Sequence, residues 1–223
     1  MELLSVKVAR AIWLFDLAEL NPSGKSIMSE LLEWLKENYH FEAAPSKPTE
    51  LDPGTKALLF ERGQFQVREE IFVDVGLKVF TDGIVAESYS STRDSELFLD
   101  DILASATKEF NLAFKARMIR KKLYYSELFV FSEKTLVGVH PKAAEFAAKI
   151  DALVPSKLGI SFQASALSFW PTQIPPPPIV VSPFRFERKL NTQASEGKYY
   201  SSAPLHTDDH LSLLNELECT FMA

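Results

Sequence analysis

The sequence predicts an α+β fold, a mixed and mainly antiparallel sheet with helices packed on it, in a single domain over residues 1–223. Three observations carry this. Asp82-Gly83 sits between two β-rich runs, Leu77–Thr81 and Ile84–Tyr89, which is a strong hairpin signal, because a two-residue type I′ turn needs positive φ at both central positions. Runs with strand character outnumber helical ones, and each main helix falls between two of them. A second turn signal, Arg62-Gly63, predicts another hairpin, so a purely parallel sheet is excluded.

Taken in order, residues 6–17 are β-rich and lead to the turn Asn21-Pro22-Ser23-Gly24. A helix is predicted over about 26–39, with Ile27, Leu31, Trp34, Leu35 and Asn38 on one face. Residues 43–55 hold Pro45, Pro48 and Pro53 and read as a loop. Residues 57–61 and 65–67 flank Arg62-Gly63, and residues 69–80 continue as a strand to the Asp82-Gly83 turn. Ser90-Ser91-Thr92 then precedes the clearest helix of the chain. Asp94 stands three residues after Ser91, a capping-box spacing, and Leu99, Ile102, Leu103, Ala106 and Phe110 recur at helical period. Asp94, Glu96, Asp100 and Asp101 crowd its first half and Lys108 its end, the order that the helix dipole favours.

Residues 118–131 return as a strand. His140-Pro141 marks the next helix start, because proline at the first helical position sacrifices no hydrogen bond. Its expected face is Ala143, Phe146, Ala147, Ile150 and Val154. Residues 158–170 read as a strand, with Ile160, Phe162 and Ala164 on one side. The compositional break is 171–183, with prolines at 175, 176, 177 and 178, a stiff polyproline II strap that cannot join a sheet interior. A C-terminal strand and short helix follow over 184–218: residues 184–190 as the strand, 191–204 as a polar loop, and a helix capped by Thr207 that carries Leu211, Leu214 and Leu217.

Composition bounds the function. The net charge of -6 argues against a dedicated nucleic-acid binder. A single cysteine, Cys219, excludes an internal disulfide framework and suits a reducing compartment, so the expected location is cytoplasmic. Cys219 itself reads as a small buried apolar residue. No signal peptide and no membrane-spanning run are expected.

Several motifs invite chemistry. Pro22-Ser23-Gly24-Lys25-Ser26 resembles a phosphate loop in part, yet Glu19 stands where its first glycine belongs, leaving an ordinary turn. His206 and His210 are one helical turn apart with Asp209 between them, the spacing of a metal pair that lacks a third ligand. Asp82, Asp94, Glu96, Asp100 and Asp101 offer carboxylates for a divalent ion, but mostly from one helix, where a solvated acidic face explains them. Arg117, Arg120, Lys121 and Lys122 lie beside Tyr124 and Tyr125, a basic and aromatic cluster that reads first as a strand whose charged side chains face water or an acidic partner and second as a surface that stacks on and neutralises nucleic acid. No Gly-x-Ser-x-Gly elbow occurs.

The expected function is therefore a non-enzymatic subunit that binds other protein chains, in a hetero- or homo-oligomer, with no cofactor, no bound metal and no membrane. Seventeen phenylalanines support it, more than a small core demands. A metal-dependent phosphodiester hydrolase and a nucleic-acid-binding accessory protein are the alternatives.

Overall fold

Alternation along the first strand sets the pattern for the sheet. In β1 (Glu2–Leu14), Ala9, Ala11 and Trp13 are fully buried while Arg10, Ile12 and Leu14 face the other way. The computed structural model describes residues 1–52, 54–135, 141–154, 161–173, 175–176 and 179–221. The remaining strands are β2 (Leu58–Arg68), β3 (Ile71–Phe80), β4 (Gly83–Ser88), β5 (Lys121–Phe131), β6 (Ala166–Phe169), β7 (Phe184–Arg188) and β8 (Lys198–Ala203). The helices are α1 (Met28–Asn38), α2 (Thr92–Phe110), α3 (Pro141–Leu153) and α4 (Thr207–Phe221). Hydrogen bonding links the strands in the order β2-β3-β4-β1-β5-β8-β7-β6. The sheet is antiparallel throughout, and the α+β class is as the sequence predicts.

Two compact units make up the chain. One comprises residues 8–126 and 205–207, the other 1–7, 127–204 and 208–223. In the first, α1 and α2 supply Leu32, Leu35, Phe98, Leu99, Ile102 and Leu103 to a core shared with Trp13, Phe60, Val75, Leu77 and Ile84. Phe98 is its aromatic centre, edge-on to Tyr39 at 5.0 Å and 5.3 Å from Phe65. Burying one such ring contributes about 2–3 kcal/mol. Ser91 caps α2 as the sequence predicts, accepting from the Asp94 N–H, and Asn111 closes it in the left-handed region. In the second unit, Leu128, Val130, Phe186, Tyr199, Leu214 and Leu217 form the core.

Several sequence expectations are corrected. Arg62-Gly63 is a bulge, not a turn. Arg62 adopts φ 54° within an unbroken β2, the pairing shifts between Phe60 and Gly63, and the reversal comes at Glu69-Glu70, with Glu70 at φ 61°. The second hairpin is where it was expected, but its loop is Thr81-Asp82, and Gly83 pairs with Phe80 as the first residue of β4. Gly83 does not need a positive φ. It needs the absence of a side chain, because a Cβ there would lie 2.3 Å from the Trp13 carbonyl oxygen.

The polar stretch 191–204 contains β8, a strand the sequence conceals. Its serines, Ser201 and Ser202, are buried, and the Ser201 hydroxyl donates to the Arg185 carbonyl at 2.7 Å. Thr207 is the first residue of α4 rather than its cap. Cys219 is exposed. On α3, Ala147 is buried, but Phe146 is 64% exposed and leaves the expected face. The strand expected over 158–170 is confined to β6 among the described residues, and its expected Leu158 and Ile160 lie outside them. His140 and Pro53 also lie outside them, as do Pro177 and Pro178 of the expected strap, whose described residues form neither helix nor strand.

Candidate functional site

The start of α2 gathers the polar side chains that the sequence singled out. Tyr124 and Lys122 alternate on one side of β5, and both reach Glu96 in the second turn of α2, at 3.0 and 2.7 Å. The Lys122 ammonium also lies 4.1 Å over the Trp13 ring. His206 packs against Tyr124 with ring centroids 3.5 Å apart and the ring planes tilted by 31°, and its Nδ1 lies 3.3 Å from the Thr92 hydroxyl. Thr92 in turn exchanges hydrogen bonds with Thr207.

The electrostatics of this cluster are settled by its own contacts. Burial pushes the Glu96 carboxyl upward, but the hydrogen bonds from Lys122 and Tyr124 and the Lys122 charge outweigh it and hold Glu96 below the usual carboxylate range. Burial, reinforced by the bond to Glu96, pushes the Tyr124 hydroxyl up to about 12. Glu96 is therefore ionised and Tyr124 protonated at neutral pH, and neither is poised for proton transfer there. The cluster ties β5 and the 205–207 segment to α2.

The basic and aromatic residues do not share one surface. Tyr125 points to the opposite side of β5 from Tyr124, under the Arg10 guanidinium at 5.4 Å. Arg120 pairs with Glu19 at 3.0 Å, and Arg117 and Lys121 are exposed. His210 is fully buried, with Nε2 2.8 Å from the Ser201 hydroxyl and the ring edge-on to Phe184. Asp209 is exposed in the first turn of α4. The acidic residues are likewise dispersed in role: Asp94 accepts from Ser91, and Asp101 accepts from Tyr39 at 2.7 Å. Among the described residues no three His, Cys, Asp or Glu side chains converge as a metal site would require. The Pro22–Ser26 segment is a turn held by Asn21, with Gly24 at φ +62°.

Sequence reasoning missed the two edges of the sheet, which differ in kind. The β2 edge is guarded. It carries Glu61, Arg62, Gln64 and Arg68 as exposed residues, it is bulged, and Ala43 bridges to Glu61 across it. Among the described residues, the β6 edge has none of these devices. Its four residues, Ala-Leu-Ser-Phe, hold no charge and no proline and pair with β7 in unbroken register. Phe169 and Trp170 at its end are 53% and 66% exposed. Beside it, Phe169, Phe184, Leu213 and Leu217 line a groove of about 330 Å³ with Glu216 and Thr220 at its polar margin.

The bonding direction along β6 follows from one contact. The Arg188 N–H donates to the Ser165 carbonyl at 2.8 Å, so Ser165 is a bonded position of the ladder. Bonded and non-bonded pairs alternate in an antiparallel ladder, so Leu167 bonds to β7 while Ala166 and Ser168 turn their N–H and C=O outward. With this geometry in hand, comparison adds no relative: no protein-family model matches the chain, and no curated protein matches it significantly. No helix among the described residues is long and apolar enough to cross a membrane.

Proposed function

We propose that this protein is a non-enzymatic, protein-binding subunit of a larger assembly, which takes up an extended segment of another protein as an added strand on β6. The observation that carries the reading is the unguarded β6 edge beside an apolar groove. Backbone groups of Ala166 and Ser168 supply hydrogen bonds of the sheet-addition kind, and the groove receives a side chain from alternate positions of the guest.

Charge selects the guest. Glu216 stands at the margin of the groove with no ion pair among the described residues, and the chain as a whole carries -6. A segment alternating apolar and basic residues is complementary, whereas a second copy of this acidic chain is disfavoured. The single cysteine suits a reducing compartment, and we assign the work to the cytoplasm on that ground.

Selection of a random dodecapeptide library on the purified protein tests this. Enriched peptides should alternate apolar and basic residues. Ser168→Pro should abolish their binding, since it removes an outward N–H and leaves the β7 ladder whole. Enrichment indifferent to Ser168→Pro, or a dimeric mass in solution that Ser168→Pro makes monomeric, overturns the proposal.

A further inference from the structure

We infer that the cavity beneath α1 is a binding site for a short aliphatic chain with an anionic head group. The cavity measures about 150 Å³ and lies in the first unit, between α1, α2, the 3-10 turn Leu17–Leu20 and strands β2 to β4. Its inner wall is Leu32, Leu77, Ile84, Ile102, Leu103 and Ala106, all buried and all hydrocarbon. The size is that of an engineered apolar cavity of about 150 Å³ that admits benzene, so this one has room for a tail of about six carbons.

Polarity enters the lining at one place. Asn21 and Lys25 line the cavity and belong to the same turn. The Asn21 side chain is committed to that turn, donating to the Lys25 carbonyl at 2.8 Å and accepting from the Lys25 N–H at 3.3 Å. The Lys25 ammonium has no carboxylate partner among the described residues, and the residue is exposed. A cavity with a hydrocarbon interior and one uncommitted cation at its mouth is complementary to an aliphatic carboxylate and discriminates against an aliphatic amine. The site is independent of the β6 edge.

Sodium hexanoate and hexylammonium chloride are the probes, followed by methyl chemical shifts of the wild-type protein. Hexanoate should shift the lining Leu and Ile methyls and bind at least tenfold more tightly than hexylammonium. Lys25→Glu, a surface change, should reverse that preference, and Ala106→Leu, which fills the cavity, should abolish binding of both. Absence of hexanoate binding at millimolar concentration, equal affinity for the two probes, or an unchanged preference in Lys25→Glu overturns the inference. Should Ala106→Leu fail to fold, the Lys25→Glu comparison decides it.

Discussion

Thr92 and Thr207 cap each other. Each is the first residue of a helix, and each backbone N–H donates to the other's hydroxyl at 3.0 Å across a sequence separation of 115 residues. Both are buried, at 1% and 4% exposure, so water does not satisfy these N–H groups. Thr207→Val keeps the shape but orphans the Thr92 N–H, which costs about 1–3 kcal/mol. Thr207→Ser should restore most of it, and the double variant with Thr92→Val should lose less than the sum of the singles. Denaturant midpoints of the wild type and these four variants measure this. Strict additivity would show that the two residues do not act as a pair.

Gly83 makes a different demand from a turn glycine. A Cβ at Gly83 meets the Trp13 carbonyl at 2.3 Å, whereas a Cβ at Gly24 meets nothing within 4 Å, despite φ +62° there. Gly83→Ala should therefore destabilise by about 1–3 kcal/mol through overpacking against backbone. Gly24→Ala should cost about 1 kcal/mol through backbone strain alone. Thermal unfolding of the two variants orders them, and a larger loss for Gly24→Ala would refute the close-approach explanation.

His210 gives stability a pH dependence. Burial lowers it from 6.5 to about 4, so the folded chain keeps the ring neutral where the unfolded chain protonates it. The folded value is the depressed one. The contribution is present above pH 6.5 and is lost as pH falls toward 4. It amounts to about 2–3 kcal/mol between about pH 7.5 and about pH 4.5. Unfolding free energies of wild type and His210→Asn, subtracted at each pH, should converge across that window as acid is added. Parallel curves would mean that His210 takes up its proton equally in both states.

What the sequence made legible was local. The Ser91-to-Asp94 spacing placed α2 because a cap is a property of four neighbouring residues. Arg62-Gly63 looked like a turn because a bulge borrows the same positive φ, and only the partner strand tells them apart. β8 was hidden because Ser201 and Ser202 are polar by composition yet buried in place, with the Ser201 hydroxyl bonded to the Arg185 carbonyl. For the sites the limit was the same. Tyr124 and Tyr125 are adjacent in sequence and on opposite faces of β5, and which face meets Glu96 depends on α2. That β6 ends the sheet, and that its edge is bare among the described residues, is a fact of strand order that no window of residues contains.

The C-terminal quarter carries a last prediction, because it supplies most of one core. Of the six residues buried in the second unit's cluster, Phe186, Tyr199, Leu214 and Leu217 all lie beyond Trp170. Removing residues 171–223 leaves Leu128 and Val130 as its buried remainder, with Met1 and Val6 losing the neighbours they pack against. The β7 and β8 partners go too, so β6 loses the strand to which it is paired. Each large side chain lost from a core is worth about 2–5 kcal/mol, and four together exceed the stability of a typical domain. A 1–170 fragment should therefore bind an apolar dye and aggregate, and the residues remaining from the second unit should exchange their amide hydrogens without protection. Residues 8–126, whose own cluster is untouched, should keep theirs. Protection of Leu128 and Val130 in the fragment at the level of the full chain would show that β7, β8 and α4 are appended to this core rather than part of it.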